Sequence, residues 1–203
     1  MTRTEILAVA KPILFNTEMA RAILDGRKTV TRRVAFPNKD LREFPCKQYP
    51  EGWWLKGRVY KNWANLPMGR FELSCKYGVS DILYVRETWC KYDDDHVIDG
   101  VRYAYKVDAT PVSEEARNEL GYKWKPSIHM PKEAARVFLR VTNVSVERLQ
   151  EIKKTGVEVE GCSCLPHFIH VWNTTVKKSD LDRYGWDANP WVWVIEFEKI
   201  EVE

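Results

Sequence analysis

Two alternating stretches do most to limit the folds open to this chain. Arg136-Val-Phe-Leu-Arg-Val-Thr-Asn-Val-Ser-Val-Glu-Arg-Leu sets Val137, Leu139 and Val141 against Phe138, Arg140 and Thr142, the two-residue period of a strand. Trp191-Val-Trp-Val-Ile-Glu-Phe-Glu-Lys-Ile puts Trp191, Trp193, Ile195 and Phe197 on one face, which assigns them to the core. Asp81-Ile-Leu-Tyr-Val-Arg-Glu-Thr-Trp reads as a buried strand ending in a charged pair, Arg86 and Glu87, and Tyr103 to Val107 as a short strand. Helical signals are fewer. Asn16 or Thr17 caps a helix with Glu18 in its first turn, Met19, Ala20, Ile23 and Leu24 as its apolar stripe and Gly26 as its stop. Pro111 to Leu120 reads as a short helix, and Pro166 opens another carrying Phe168, Ile169 and Trp172. Few helices among several non-adjacent strands predict an α+β domain built on a small curled sheet or barrel.

At 203 residues the chain reads as a single domain over 1–203 with long insertions. Residues 37–78 and 91–131 are the two irregular insertions, the first with a hairpin around Trp53 to Tyr60. A hydrophobic content of 44% and nine tryptophans suffice for a core. The net charge of +3 is too mild for a protein that coats nucleic acid by charge alone, so such affinity would need a local patch. No apolar run reaches the roughly 18 residues of a membrane span, and Met1-Thr-Arg-Thr-Glu-Ile-Leu-Ala-Val-Ala is too polar for a secretory signal. Five scattered cysteines, at 46, 75, 90, 162 and 164, fit reduced thiols and a cytoplasmic location.

The chemistry concentrates in Asp25-Gly-Arg-Lys-Thr-Val-Thr-Arg-Arg. Between Gly26 and Arg33 lie four cations, two hydroxyls and no acid. Cations and hydroxyls hold phosphates, sugars and polarised carbonyls, and a plain surface intersperses acids among its cations. The alternative is a basic strand edge that blocks edge-to-edge pairing. Strand alternation puts Lys28, Val30 and Arg32 on one face and Thr29, Thr31 and Arg33 on the other. Lys28 and Thr31 therefore cooperate only if the chain bends between them.

The helix followed by Gly-Arg-Lys-Thr-Val-Thr-Arg-Arg resembles the signature of the ASCH domain family, whose fold is PUA-like. Lys11-Pro-Ile-Leu-Phe-Asn, Tyr84-Val-Arg-Glu-Thr-Trp, Trp124-Lys-Pro-Ser-Ile-His-Met-Pro, Val146-Glu-Arg-Leu-Gln-Glu-Ile and Trp186-Asp-Ala-Asn-Pro-Trp-Val-Trp-Val resemble its longer phage- and prophage-borne members. The resemblance implies a small mixed β-barrel with flanking helices and a cleft that binds RNA or a modified nucleoside, in the cytoplasm of a bacterial host. One bacterial branch of the family hydrolyses the acetamide of N4-acetylcytidine with a lysine, a threonine and a later glutamate. Lys28 and Thr31 stand at the matching positions, Glu160 is the best match for the glutamate, and Glu158 is a weaker one. The segment Lys153-Lys-Thr-Gly-Val-Glu-Val departs from the usual helix pattern there.

The chemistry follows from general principles as well. Amide hydrolysis needs a nucleophile, a base and a stabiliser of the oxyanion. Thr31 is the expected nucleophile. Lys28, with its neutral form favoured by Arg27 and Arg32, is the expected base, and Glu160 the acid that protonates the leaving amine. Arg27, Arg32, Arg33, Arg86, Glu87 and Trp89 are the expected substrate or RNA contacts, with Tyr84 and Trp124 as further stacking residues. Ordinary structural roles stand beside each of these. A non-catalytic reader of RNA or a modified base, a ribonuclease and a phage accessory protein acting through protein contacts are the alternative functions. Cys162, Cys164, His167 and His170 form a tempting zinc set, but Pro166 interrupts the tight spacing and coincidence is the better reading. No metal or other cofactor is expected. The oligomeric state is left open.

Overall fold

A computed structural model describes residues 2–35, 54–55, 58–60, 72–93 and 102–201. In chain order the elements begin with α1 (Arg3–Val9), β1 (Lys11–Leu14), α2 (Thr17–Leu24) and β2 (Val30–Val34). They continue with β3 (Trp54–Leu55), β4 (Arg58–Tyr60), β5 (Glu72–Ser74), β6 (Ile82–Arg86), β7 (Trp89–Lys91) and β8 (Tyr103–Tyr105). After α3 (Pro111–Glu119) come β9 (Phe138–Arg148), α4 (Lys154–Val159), α5 (Leu165–Thr175), α6 (Leu181–Tyr184) and β10 (Trp191–Ile200).

The architecture is α+β. Its main sheet is mixed, with five strands in the order β1-β6-β9-β10-β2. The expected barrel is replaced by this sheet, and no closed barrel occurs among the described residues. The chain divides into two compact units: residues 1–27, 82–140 and 199–203 form the first, and residues 28–81 and 141–198 the second.

In the first unit β1 runs parallel to β6, with Lys11 opposite Leu83, and β6 runs antiparallel to the start of β9, with Leu83 opposite Leu139. β7 and β8 form a separate antiparallel pair. Asn16 caps α2 as its sequence predicts, accepting from the Met19 amide at 2.8 Å, and Gly26 follows the helix at φ +73°. The helix α1 lacks a sequence-based expectation, although Thr2 and Glu5 close a capping box around its first turn. Ile6, Tyr84, Trp89, Met130 and Phe138 form one buried cluster. Burying a side chain such as Phe138 contributes roughly 1.5–3 kcal/mol.

In the second unit β10 pairs antiparallel with β2, Ile195 facing Thr31. Val192, Trp193, Val194 and Ile195 are all buried, so this stretch is covered on both faces rather than one. Trp191, assigned to the core, is only half-buried, with the Arg148 guanidinium 4.3 Å from its ring centroid. α5 begins one residue before Pro166 and packs Phe168 against Trp172 and Trp186, ring centroids 6.3 and 6.1 Å apart. The expected hairpin is present as β3 and β4, extended by β5 into a three-stranded meander; Trp53 and Cys46 lie outside the described residues. Most of both expected insertions lies outside them or is short structure, including β8 and α3. Among the described residues no helix is long and apolar enough to cross a membrane.

Candidate functional site

The cationic segment changes partners as it runs. Lys28 forms a single antiparallel bridge with Glu160, and the Thr29 amide donates to Val159 O at 2.9 Å. The Thr29 carbonyl then accepts from the Phe197 amide, and from Val30 onward the backbone belongs to the β2–β10 ladder. Lys28 and Arg32, on the same face, both close on Glu160. Arg33, which strand alternation puts on the other face, still acts electrostatically on Lys28 and Glu160.

The contacts form a buried charge network. Lys28 Nζ donates to Val30 O at 2.8 Å, Glu160 O at 2.9 Å and Glu160 Oε2 at 2.5 Å. An ammonium has three donors, and these acceptors use all of them. Arg32 donates from its terminal guanidinium nitrogen to Glu160 Oε1 at 3.1 Å and from Nε to Glu147 Oε1 at 2.7 Å. Lys28 is 3% exposed and Glu160 5%, so neither charge is solvated enough to stand alone. Lys28 and Arg32 each face a carboxylate, and Arg33 is a third cation that feels Glu160. Burial pushes the Lys28 ammonium below the usual lysine range, Glu160 opposes this, and Arg33 adds to it. The sequence-based cause, repulsion from Arg27 and Arg32, is thereby corrected: desolvation leads, and the repelling cation is Arg33. Beside it Tyr77 is 8% exposed, its phenol pushed up by burial and partly held down by Arg33.

Glu160 owes its place to the end of α4. It is the C-cap residue, followed by Gly161 at φ +82°. The Gly161 amide donates to Glu158 O at 2.9 Å and the Cys162 amide to Val157 O at 3.2 Å, the pair of bonds that makes a Schellman termination. Gly156, which spoils the helix pattern in the sequence, has a packing reason. A Cβ there would lie 3.0 Å from Ile152 Cγ1 and 3.3 Å from a guanidinium nitrogen of Arg32. The missing side chain lets Arg32 reach the carboxylate. Glu158, the weaker match, is exposed.

Thr31 is 4% exposed, and among the described residues no hydrogen bond joins its hydroxyl to Lys28 or Glu160. Arg33 is half-buried on β2. Arg27 points elsewhere, pairing with Asp25 at 2.9 Å with about half its side chain exposed (53%). Arg86, Glu87 and Trp89 belong to the first unit. The expected Arg86–Glu87 pair does not form: β6 ends at Arg86, and the two side chains take different partners. Glu87, 1% exposed, instead accepts two hydrogen bonds from Arg136, at 3.1 and 3.2 Å, while Arg86 donates to Ile128 O. Trp89 and Tyr84 are 5% and 8% exposed, so both are core residues rather than stacking platforms. Trp124 is half-buried. Cys162 is buried and Cys164 exposed, with the His167 ring nitrogen 3.3 Å from Ser163. Among the described residues no three His, Cys, Asp or Glu side chains are grouped to hold a metal.

Sequence reasoning missed Glu147 and Arg136. Glu147 lies on the clearest strand, yet nothing local marks it as the second carboxylate for Arg32. Comparison of the chain with protein-family models, curated proteins and solved structures finds no match.

Proposed function

We propose that this protein binds RNA or a modified nucleoside at the Lys28–Glu160 centre and hydrolyses the amide of N4-acylated cytidine. The observation that carries the reading is the buried 2.5 Å contact between Lys28 Nζ and Glu160 Oε2. A lysine and a carboxylate so close, in a site where burial already disfavours the ammonium, can exchange a proton at low cost. The ASCH resemblance of the segment Gly26 to Arg33 supports the same assignment.

Lys28 passes a proton to Glu160 and becomes a neutral amine. Thr31 Oγ1 attacks the acyl carbonyl as Lys28 takes its proton, and Arg33 stabilises the oxyanion. The C–N bond breaks, N4 receives the Glu160 proton, and cytidine leaves. Water then cleaves the acyl ester of Thr31: one of its protons goes to the threonine oxygen, the other is released to solvent, and the acyl group departs as a carboxylate. Arg32 holds Glu160 from the other side throughout. The expected result is cytidine release from N4-acetylcytidine, with loss of at least about a hundredfold in Lys28→Met, the low end of general acid–base contributions. Release at an unchanged rate in that variant would sink the proposal.

One observation favours a second reading, a non-catalytic reader of the same ligands. The Thr31 hydroxyl makes no bond to the Lys28–Glu160 pair. A reader keeps salt-dependent ligand binding in Thr31→Ala, loses it when Arg33 is replaced, and releases no cytidine.

A further inference from the structure

A second site is carried by the first unit and shares no residue with the proposed centre. A cleft of about 350 Å³ opens beside β8 and α3. Small-molecule sites run from roughly 300 to 1,000 Å³, so this one suits a single ring system with little attached.

Three properties of its walls select the ligand. Its sides are planar: the Arg136 guanidinium lies 3.9 Å from the centroid of the Tyr105 ring, and that of Arg117 lies 4.8 Å from the Trp124 ring centroid. Flat aromatic and guanidinium walls favour a flat ligand. The arginines of the walls are also already paired. Arg136 pairs with Glu87 and Asp108, and Arg117 with Glu114 at 2.8 Å. Neither arginine of the walls is left without a carboxylate partner, so neither offers a phosphate an unpaired cation. Finally, polar atoms remain for a ligand edge. The hydroxyls of Tyr92 and Tyr103, which line the cleft, make no hydrogen bond among the described residues. The Asp108 side chain is 53% exposed, and only its Oδ2 is engaged by Arg136. Its other oxygen accepts from an N–H, while the phenols bond ring nitrogens or carbonyls.

We infer that this cleft binds an uncharged, amino-bearing nucleobase, presented as a nucleoside or an unpaired base. The site does not rest on the chemistry assigned to Lys28 and Glu160.

The test is calorimetric titration of the folded protein with adenosine, purine riboside and adenosine monophosphate. Adenosine binds saturably. Purine riboside, lacking the exocyclic amine, binds about fivefold more weakly, the loss expected for one hydrogen bond. The monophosphate binds no tighter than adenosine. Ala109→Trp, which fills the cleft, abolishes adenosine binding, and Tyr103→Phe weakens it about fivefold. Lys28→Met leaves it unchanged. The proposal is overturned by the absence of saturable adenosine binding at millimolar concentration, by purine riboside binding as tightly, or by tenfold tighter binding of the monophosphate. It is equally overturned if binding survives in folded Ala109→Trp, is unaltered by Tyr103→Phe, or disappears in folded Lys28→Met. Failure of this titration leaves N4-acetylcytidine hydrolysis untouched, so the two proposals fall separately.

Discussion

Glu160 is the residue on which two buried cations depend. Oε2 meets Lys28 and Oε1 meets Arg32, in surroundings where an unmatched charge is costly. Glu160→Gln keeps the shape and removes the charge. It is expected to cost about 3–5 kcal/mol in folding stability, as breaking a buried ion pair from one side does. Glu158→Gln, two residues away and exposed, should stay within about 0.5 kcal/mol of the parent. Guanidinium denaturation of both variants at neutral pH decides this, and equal midpoints would show that Glu160 does not balance Lys28 and Arg32. The half of this arrangement that is periodic was legible in the sequence, because alternation alone puts Lys28 and Arg32 on one face. Glu147 was not, since nothing near it in the chain announces a partner 115 residues away.

The element that carries Glu160 is the one least like its secondary structure. α4 has six residues, Lys154 to Val159, with a glycine and two β-branched valines among them. Propensity counts against such a helix by several tenths of a kcal/mol at each of these positions. Packing and the Schellman bonds overrule it. Gly156→Ala gains about 1 kcal/mol of intrinsic helix propensity. The added methyl must displace Ile152 or Arg32, and overpacking of this kind typically costs about 1–3 kcal/mol. A net loss in thermal stability is therefore expected. It should shrink in an Arg32→Met background, where the guanidinium is gone. An unchanged penalty in that double variant would separate Gly156 from the charge network. By contrast α2 was readable because cap and apolar stripe agree along it, and β9 and β10 because a two-residue period runs through them.

At the scale of the whole molecule, the coupling of ionisation to folding gives a testable slope. Tyr105 donates to Ala134 O at 2.5 Å, and burial raises its phenol to about 12. An unfolded tyrosine ionises near 10. Between these values the folded chain holds a proton that the unfolded chain has lost. Stability from this group is thus complete below about pH 10 and disappears as pH rises toward 12. Denaturation midpoints of the parent should fall over that window more steeply than those of Tyr105→Phe; parallel profiles would mean that Tyr105 is not the group responsible. The sheet itself obeys a similarly global rule. β10, an inner strand between β9 and β2, is buried on both faces from Val192 to Ile195, although its sequence alone suggested one buried face.

The sequence by itself determined the α+β class, the two long strands, the capped helix before Gly26, and the segment in which the cations gather. Those are local properties, set by period, capping and turn chemistry within a few residues. The tertiary structure alone decided that the strands lie in an open five-stranded sheet, that Glu87 turns to Arg136, and that Arg32 is shared between Glu147 and Glu160. Each of these joins residues far apart in the chain. Partners for a buried charge are chosen by what folding brings within about 3 Å, and no local pattern encodes that choice.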